Sequence, residues 1–217
     1  EYETIGGGKP IGICGSGIVD AVAEMFKCGI INRQGAFNKD VQNPRLQRVN
    51  GEMEFVIAGS NEAGTGSPIT VGRKDVEEIQ LAKAAMHTGA AILMKRRGVT
   101  EDDLDRVYIA GAFGRYLNPE SARFIGLIPD VPTEKIVFAG NTAISGAKMA
   151  LLSMEARETA QRLSKDIHYV ELTIDPDFQG EFLRSMFLPY QRLEKYPRVL
   201  NYLHSRGIDV KNWNRGL

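Results

Sequence analysis

Twice in the second half of this chain an apolar run ends in a glycine bend and gives way to helix-forming residues. Val107-Tyr108-Ile109-Ala110 leads into Gly111-Ala112-Phe113-Gly114, and Ile136-Val137-Phe138-Ala139 leads into Gly140-Asn141-Thr142. Apolar runs that alternate with helical patterns call for crossover connections and a layered α/β fold. An earlier run, Met53 to Ala58, also reads as a strand and leaves room for a mixed sheet flanked by helices. The longest helical signal runs from Arg73 to Arg97. Val76, Ile79, Ala82, Met86, Ala90 and Leu93 recur there at intervals of three and four and predict one apolar stripe. Ala84, Ala85, Gly89, Ala90 and Ala91 keep that helix slim enough for close packing.

Other elements fill in around this frame. Ile11-Gly12-Ile13-Cys14 runs into Gly15-Ser16-Gly17 and then a helix with Ile18, Val22, Met25 and Phe26 at helical spacing. Ser16 is its expected N-cap, and the helix is expected to end near Gly29. Gly35 marks the next turn, and residues 59–68 read as a loop. Asn118-Pro119-Glu120 opens a short helix, with proline where its missing N–H costs nothing. A helix is predicted from Thr142 to about Leu163, with Ile144, Ala147, Leu151 and Met154 inward. Ile167 to Leu172 is a last strand candidate, and Phe178 to Gly207 reads as short helices.

Composition narrows the function classes. The 217 residues carry 27 basic and 27 acidic side chains, so no net charge draws the chain to nucleic acid or an anionic membrane. Lys95-Arg96-Arg97 sits at a helix end, where it favours the dipole. No run reaches the roughly 18 to 20 apolar residues that span a bilayer, so no membrane is expected. Glu1-Tyr2-Glu3 opens no secretory signal and lacks a starting Met, so the chain reads as a piece of a longer cytoplasmic polypeptide. Cys14 and Cys28 read as reduced thiols; an all-thiolate iron–sulfur cluster needs four cysteines, so any cluster lies elsewhere.

Three glycine loops are the candidates for chemistry, each with a bland alternative. In Gly12-Ile13-Cys14-Gly15-Ser16-Gly17, glycine lets backbone N–H groups approach an anion at a helix start. A tight, capped strand-to-helix turn satisfies the same residues. No Gly-Lys-Ser/Thr follows, so it is not a Walker loop, nor is it a full dinucleotide fingerprint. Gly111-Ala112-Phe113-Gly114 lies at a strand's carboxyl end, the favoured side for ligands in α/β sheets, and its small residues admit a flat ring. An ordinary βα turn would look alike. Gly140-Asn141-Thr142, with Gly146-Ala147 one turn on, starts a capped helix suited to ligand contact or to close packing. No catalytic constellation emerges. His87, His168 and His204 are scattered, with His87 off the stripe at a surface or boundary, and Asp102, Asp103, Glu77 and Glu78 read as solvated charges.

Taken in order, these segments resemble a known family. The matching stretches are residues 9–20 (Lys-Pro-Ile-Gly-Ile-Cys-Gly-Ser-Gly-Ile-Val-Asp), Asp75 to Ala85, Val107 to Gly114, Gly126-Leu127-Ile128-Pro129 and Asn141-Thr142-Ala143-Ile144-Ser145-Gly146-Ala147. The set is similar to the C-terminal half of the reductive activators of corrinoid proteins, members of the actin/Hsp70/sugar-kinase superfamily of ATPases. The resemblance covers most of residues 9–152, and 153–217 would supply a C-terminal strand and helices. It implies that all 217 residues form part of a ribonuclease-H-like, actin/Hsp70-type lobe, incomplete relative to the full two-lobed ATPase. Val107 to Gly114 would correspond to the adenosine motif, and Asn141 to Leu152 to the second connecting helix at the interdomain hinge. Polar contacts to the nucleoside are implied for Gln80 and Lys83. Gly72 departs from the pattern, standing where a capping Thr is expected.

The cofactor-binding residues so implied are Gly15, Ser16, Gly17, Gln80, Lys83, Gly111, Ala112, Phe113, Gly114 and Asn141, with no catalytic or metal-binding residue in this stretch. The cofactor would be ATP or ADP with magnesium, whose ligands, like the [2Fe–2S] ferredoxin domain, would lie outside this chain. The implied activity is return of a Co(II) corrinoid protein to the Co(I) state, serving methyl transfer, by a homodimer whose partner is a corrinoid (iron–sulfur) protein. A sugar or acyl kinase of the same superfamily, or a non-catalytic dimerisation or docking domain, remains open.

Overall fold

The helix of residues 15–27 shows how local rules and packing converge in this chain. The computed structural model describes residues 1–111 and 113–208, the side chains of Phe113 and Arg115 excepted; Ala112 and residues 209–217 lie outside the described residues. Helix α1 (Gly15–Lys27) is capped by Cys14, whose Sγ accepts from the Gly17 N–H, so the cap lies two residues before the expected Ser16. Gly29, with φ of 71°, turns the chain away one residue past the C-cap Cys28. Val19, Val22, Ala23, Met25 and Phe26 are buried, a stripe that faces α3 (Pro119–Ile125).

Two small sheets follow in chain order. β1 (Leu46–Val49), β2 (Glu52–Ala58) and β3 (Ile69–Gly72) form an antiparallel meander. Asn50 and Gly51 join β1 to β2 with φ of 50° and 88°, the two positive values that a tight hairpin turn needs. β4 (Val107–Ala110) and β5 (Ile136–Gly140) pair in parallel, with a register shift between Ile109 and Ala110. A 3-10 turn, Phe113–Tyr116, and α3 make the crossover between them. The fold is thus α/β and fits an incomplete actin-like lobe, its antiparallel and parallel strands lying in separate sheets.

α2 (Arg73–Arg97) follows β3 without a loop. Gly72 caps it, and Asp75 Oδ2 accepts from the Gly72 N–H at 2.8 Å, so the missing Thr is replaced by a reach-back carboxylate. The helix is rotated from the expected orientation. Its buried positions are Val76, Gln80, Lys83, Ala84, Thr88 and Ile92, whereas Met86 is 60% and Leu93 48% exposed. Polar side chains line the inner face because they meet a backbone segment that needs donors, as described below.

The C-terminal third departs most from expectation. The predicted helix over 142–163 is two helices, α4 (Thr142–Leu152) and α5 (Met154–Asp166). Ser153 breaks them at φ −137°, with its Oγ accepting from the Ala156 N–H. None of Ile144, Ala147, Leu151 and Met154 faces inward; Leu151 is 75% exposed. Residues 167–172 form no strand. α6 (Phe178–Ser185) packs along α2, and α7 (Pro197–Ser205) closes the core over α1 and α3, which includes Phe26, Ile31, Val71, Val76, Leu188 and Leu203.

Phe26 is fully buried among these groups, so Phe26→Ala is expected to cost about 3–5 kcal/mol of unfolding free energy. Leu151→Ser in the same 217-residue chain should change it by less than about 0.5 kcal/mol. Urea titrations followed by circular dichroism separate the two outcomes.

Candidate functional site

The carboxyl ends of the two parallel strands meet at a pair of glycines. Gly111, at φ 95°, donates its N–H to the Gly140 carbonyl at 2.7 Å, and Gly140 has φ 65°. An L side chain is strained at either position. A Cβ built on Gly111, Gly140 or Gly146 meets nothing within 4 Å, so this rim is open backbone. Asn141 caps α4, its Oδ1 accepting from the Ile144 N–H at 3.1 Å, while Ser145 Oγ donates to the Asn141 carbonyl. Gly114 has another reason to be glycine: a Cβ there would lie 2.6 Å from Ile109 Cγ2. It lets the 3-10 turn fold back on β4. Ala112 and the Phe113 side chain lie outside the described residues.

The first glycine loop stands at the mouth of a cleft of about 320 Å³, lined by Ile13, Ile18, Ile69, Thr70 and Asp75. Gly15 and Ser16 begin α1, and Gly17 keeps clear of Cys14 Sγ and Ile13 Cγ2, each 3.3 Å from where its Cβ would be. The Cys14 thiol is exposed, and its pKa is lowered first by the hydrogen bond with Ser16 and then by the Gly17 N–H. The loop is therefore capped by its own cysteine, and its cleft sets three isoleucines beside Thr70 and the Asp75 carboxylate.

Gln80 and Lys83 are committed elsewhere. Only 4% and 0% exposed, they project from the inner face of α2 onto residues 186–189. Gln80 Nε2 donates to the Met186 carbonyl at 2.8 Å; Lys83 Nζ donates to the Phe187 carbonyl and, at 2.7 Å, to that of Pro189. Arg33 adds two bonds of 2.6 Å to the carbonyls of Tyr190 and Gln191. Five carbonyls in one short segment are thus held by three side chains. Gln80 and Lys83, for which nucleoside contacts are implied, direct their side-chain donors to this backbone clamp in the described structure. Gly35 makes room for it, since a Cβ there would lie 2.4 Å from Gln80 Oε1. Burial, and then the Arg33 charge, pushes the Lys83 pKa well below its ordinary value.

Next along α2, His87 Nδ1 meets Ser185 Oγ at 2.9 Å, and its ring stacks on Tyr190 at 4.9 Å. Glu181 Oε1 lies 3.8 Å from the same nitrogen. Serine and carboxylate share one ring nitrogen and Ser185 is fully buried, so this is a structural network rather than a nucleophile with its base. Arg33, Ser185 and Tyr190 were not legible as members of it; an uncompensated lysine on a helix with no acid one turn away was the available signal. Among the described residues, no group of three or more His, Cys, Asp and Glu is placed to hold a metal, and no helix is long and apolar enough to cross a membrane.

Comparison with known proteins bears on what these loops serve. The family described as the C-terminal domain of RACo, the ASKHA domain, matches residues 1–200. The chain belongs to this family. Within it, the chain is similar to a protein of Eubacterium limosum named corrinoid activation enzyme RamQ, 38% identical over 189 residues, which are 84% of this chain and 32% of that protein. A Methanosarcina barkeri protein, [Co(II) methylated amine-specific corrinoid protein] reductase, is 29% identical over 167 residues, 77% of this chain and 27% of its own length. A solved structure, a reductive activator for corrinoid, iron–sulfur protein, superposes with a TM-score of 0.85 at 36% identity, over 91% of this chain and 32% of its own. The chain spans about a third of the length of such relatives.

Burial also lowers the His87 pKa, from 6.5 to about 4, so the folded state favours the neutral ring. A depressed histidine stabilises the fold above the unfolded pKa, and that contribution is lost as pH falls from about 6.5 towards 4. From pH 7.5 to pH 5 the chain should lose about 2 kcal/mol that a His87→Gln variant does not lose. Urea titrations of both proteins at the two pH values provide the check.

Proposed function

We propose that this domain is the nucleotide-binding part of an ATP-dependent reductive activator that returns Co(II) corrinoid proteins to the Co(I) state. The observation that carries the reading is the open glycine rim where β4 and β5 end, in a chain of the corrinoid-activator family. Adenine nucleotide would lie against Gly111 and Gly140, where no Cβ intervenes, and contacts from Ala112, Phe113, Gly114 and Asn141 are part of the same proposal. Gly15, Ser16 and Gly17 would meet another part of the nucleotide at the α1 start. Gln80 and Lys83 act here by pinning the helix rather than by touching nucleotide.

A [2Fe–2S] cluster does not fit this chain. Its two cysteines stand at opposite caps of α1, roughly 20 Å apart for a helix of this length. The cluster, the magnesium ligands and the electron entry belong to the rest of the polypeptide in this reading. So does the chemistry: this domain's residues bind and orient nucleotide, and the energy reaches the corrinoid through a conformational change. Raising one electron by ~100 mV takes ~2.3 kcal/mol. A nucleotide-linked closure that shifts a population by two decades each way involves ~5.5 kcal/mol, so one closure suffices. The partner would be a corrinoid protein serving methyl transfer, the assembly a homodimer and the compartment the cytoplasm.

The test uses the full-length polypeptide. ATP at 100 times its Kd should stabilise it by about 2.7 kcal/mol. Gly146→Trp fills space that is open in the 217-residue chain one turn from Asn141, and its nucleotide-free melting temperature checks that the full-length variant folds. The same change should weaken ATP at least about tenfold, a loss of 1.4 kcal/mol. Unchanged ATP affinity in this variant would remove the rim from the site. Phosphotransfer to a sugar or acyl acceptor would favour a kinase instead, and no response to ATP or ADP a docking domain.

A further inference from the structure

Much of the apolar stripe along α2 faces away from the core. Ala82, Ala85, Met86 and Leu93 are exposed, and Ile79 and Gly89 beside them are half-buried. At 3.6 residues per turn, Ala82, Ala85, Met86, Gly89 and Leu93 fall within an arc of about 100°, so they form one face, turned away from Gln80 and Lys83. From Ile79 to Met94 the helix carries one lysine, Lys83, and no arginine, aspartate or glutamate, and that lysine is buried. A helix that is apolar on its outer face as well as its inner one is ordinarily covered on both. The free charges stand at the two ends of the stripe. Glu77, Lys95 and Arg96 are paired within the chain, with Arg73, Asp177 and Asp175. Glu78 and Arg97 are exposed and enter no ion pair among the described residues.

We infer that this face of α2 packs against the same face of a second copy of the chain, the two helices antiparallel about a two-fold axis. The inference deepens the homodimer reading above and rests on it. An interface of this symmetry must be complementary to itself, and the stripe is. With the axis passing between His87 and Thr88, Met86 lies opposite Gly89 of the partner subunit and Leu93 opposite Ala82 of the partner subunit. Each large side chain then meets a small residue. Gly89 supplies a notch bordered by Leu172, whose Cδ1 is 3.5 Å from where a Cβ would be. The same register sets Glu78 opposite Arg97 of the partner subunit at both ends, so the unpaired carboxylate and the unpaired guanidinium answer each other. Ile79, Ala82, Met86, Gly89 and Leu93 alternate in steps of three and four, the spacing that keeps a seam facing a paired helix. A parallel pair would instead set Glu78 against Glu78 and methionine against methionine.

Sedimentation equilibrium of the full-length polypeptide, without nucleotide, is the test. The wild type should be a dimer, and Met86→Glu should raise its dissociation constant at least about tenfold. Glu78→Arg, which opposes two cations at each end, should raise it about fivefold, and adding Arg97→Glu should bring it back to within about twofold of wild type. A dimer that Met86→Glu leaves as tight as wild type overturns the inference while the homodimer reading stands. A monomeric wild type overturns both. Should Met86→Glu not fold, the charge exchange decides: failure of Arg97→Glu to restore what Glu78→Arg lost contradicts the antiparallel pairing and gives the face to another part of the polypeptide.

Discussion

The C-terminal third of this domain is held by a short backbone segment whose carbonyls take side-chain donors from α2 and from the loop after α1. A buried carbonyl without a donor costs on the order of 1–3 kcal/mol, and of the five here that of Pro189 is buried, those of Met186, Phe187 and Tyr190 are part-buried and that of Gln191 lies at the surface. Arg33, Gln80 and Lys83 meet all of them. This explains why α2 turns a polar stripe inward and why two glycines are fixed nearby. Gly35 admits Gln80, and Gly126, at φ 76°, leaves its would-be Cβ position only 2.0 Å from the Pro189 carbonyl. The clamp ties the loop after α1, the length of α2 and the C-terminal helices into one unit.

That unit contrasts with the part that carries the candidate site. Around α1, α3 and α7 the core is closed and apolar. At the carboxyl ends of β4 and β5 the backbone is open, both glycines are left-handed, and the flanking helix buries nothing. The α1 loop is intermediate, its cysteine cap complete and its cleft lined by three isoleucines, Thr70 and Asp75. A rigid support beside an unfinished surface is what a lobe looks like when it shares a ligand site with neighbouring elements, because the site must stay accessible until they close.

Much of this was legible in the sequence where local rules decide. The glycine after each parallel strand, the asparagine caps at 118 and 141, and the helical period of α1 all act within a few residues. The short strands β1 and β3 were not read, although Asn50-Gly51 carried a hairpin signal for the first. The orientation of α2 was misjudged for a physical reason. Of its apolar stripe Met86 and Leu93 face outward while Val76 is buried, and Gln80, Lys83 and Thr88 face residues 185–189, which no local pattern announces. Ile167 to Leu172 has strand-like residues but no neighbouring strand to pair with, so propensity alone did not make one. The nucleoside contacts expected of Gln80 and Lys83 came from the family resemblance, and the carbonyl clamp shows why those residue types occur there.

The account stands on adenine nucleotide meeting the glycine rim of β4 and β5. Photolabelling the full-length polypeptide with 8-azido-ATP, followed by peptide mapping, tests it most directly. Label that excess ATP suppresses should fall in peptides spanning residues 107–116 or 136–146. Suppressible label confined to other peptides, with none in these two, would contradict it.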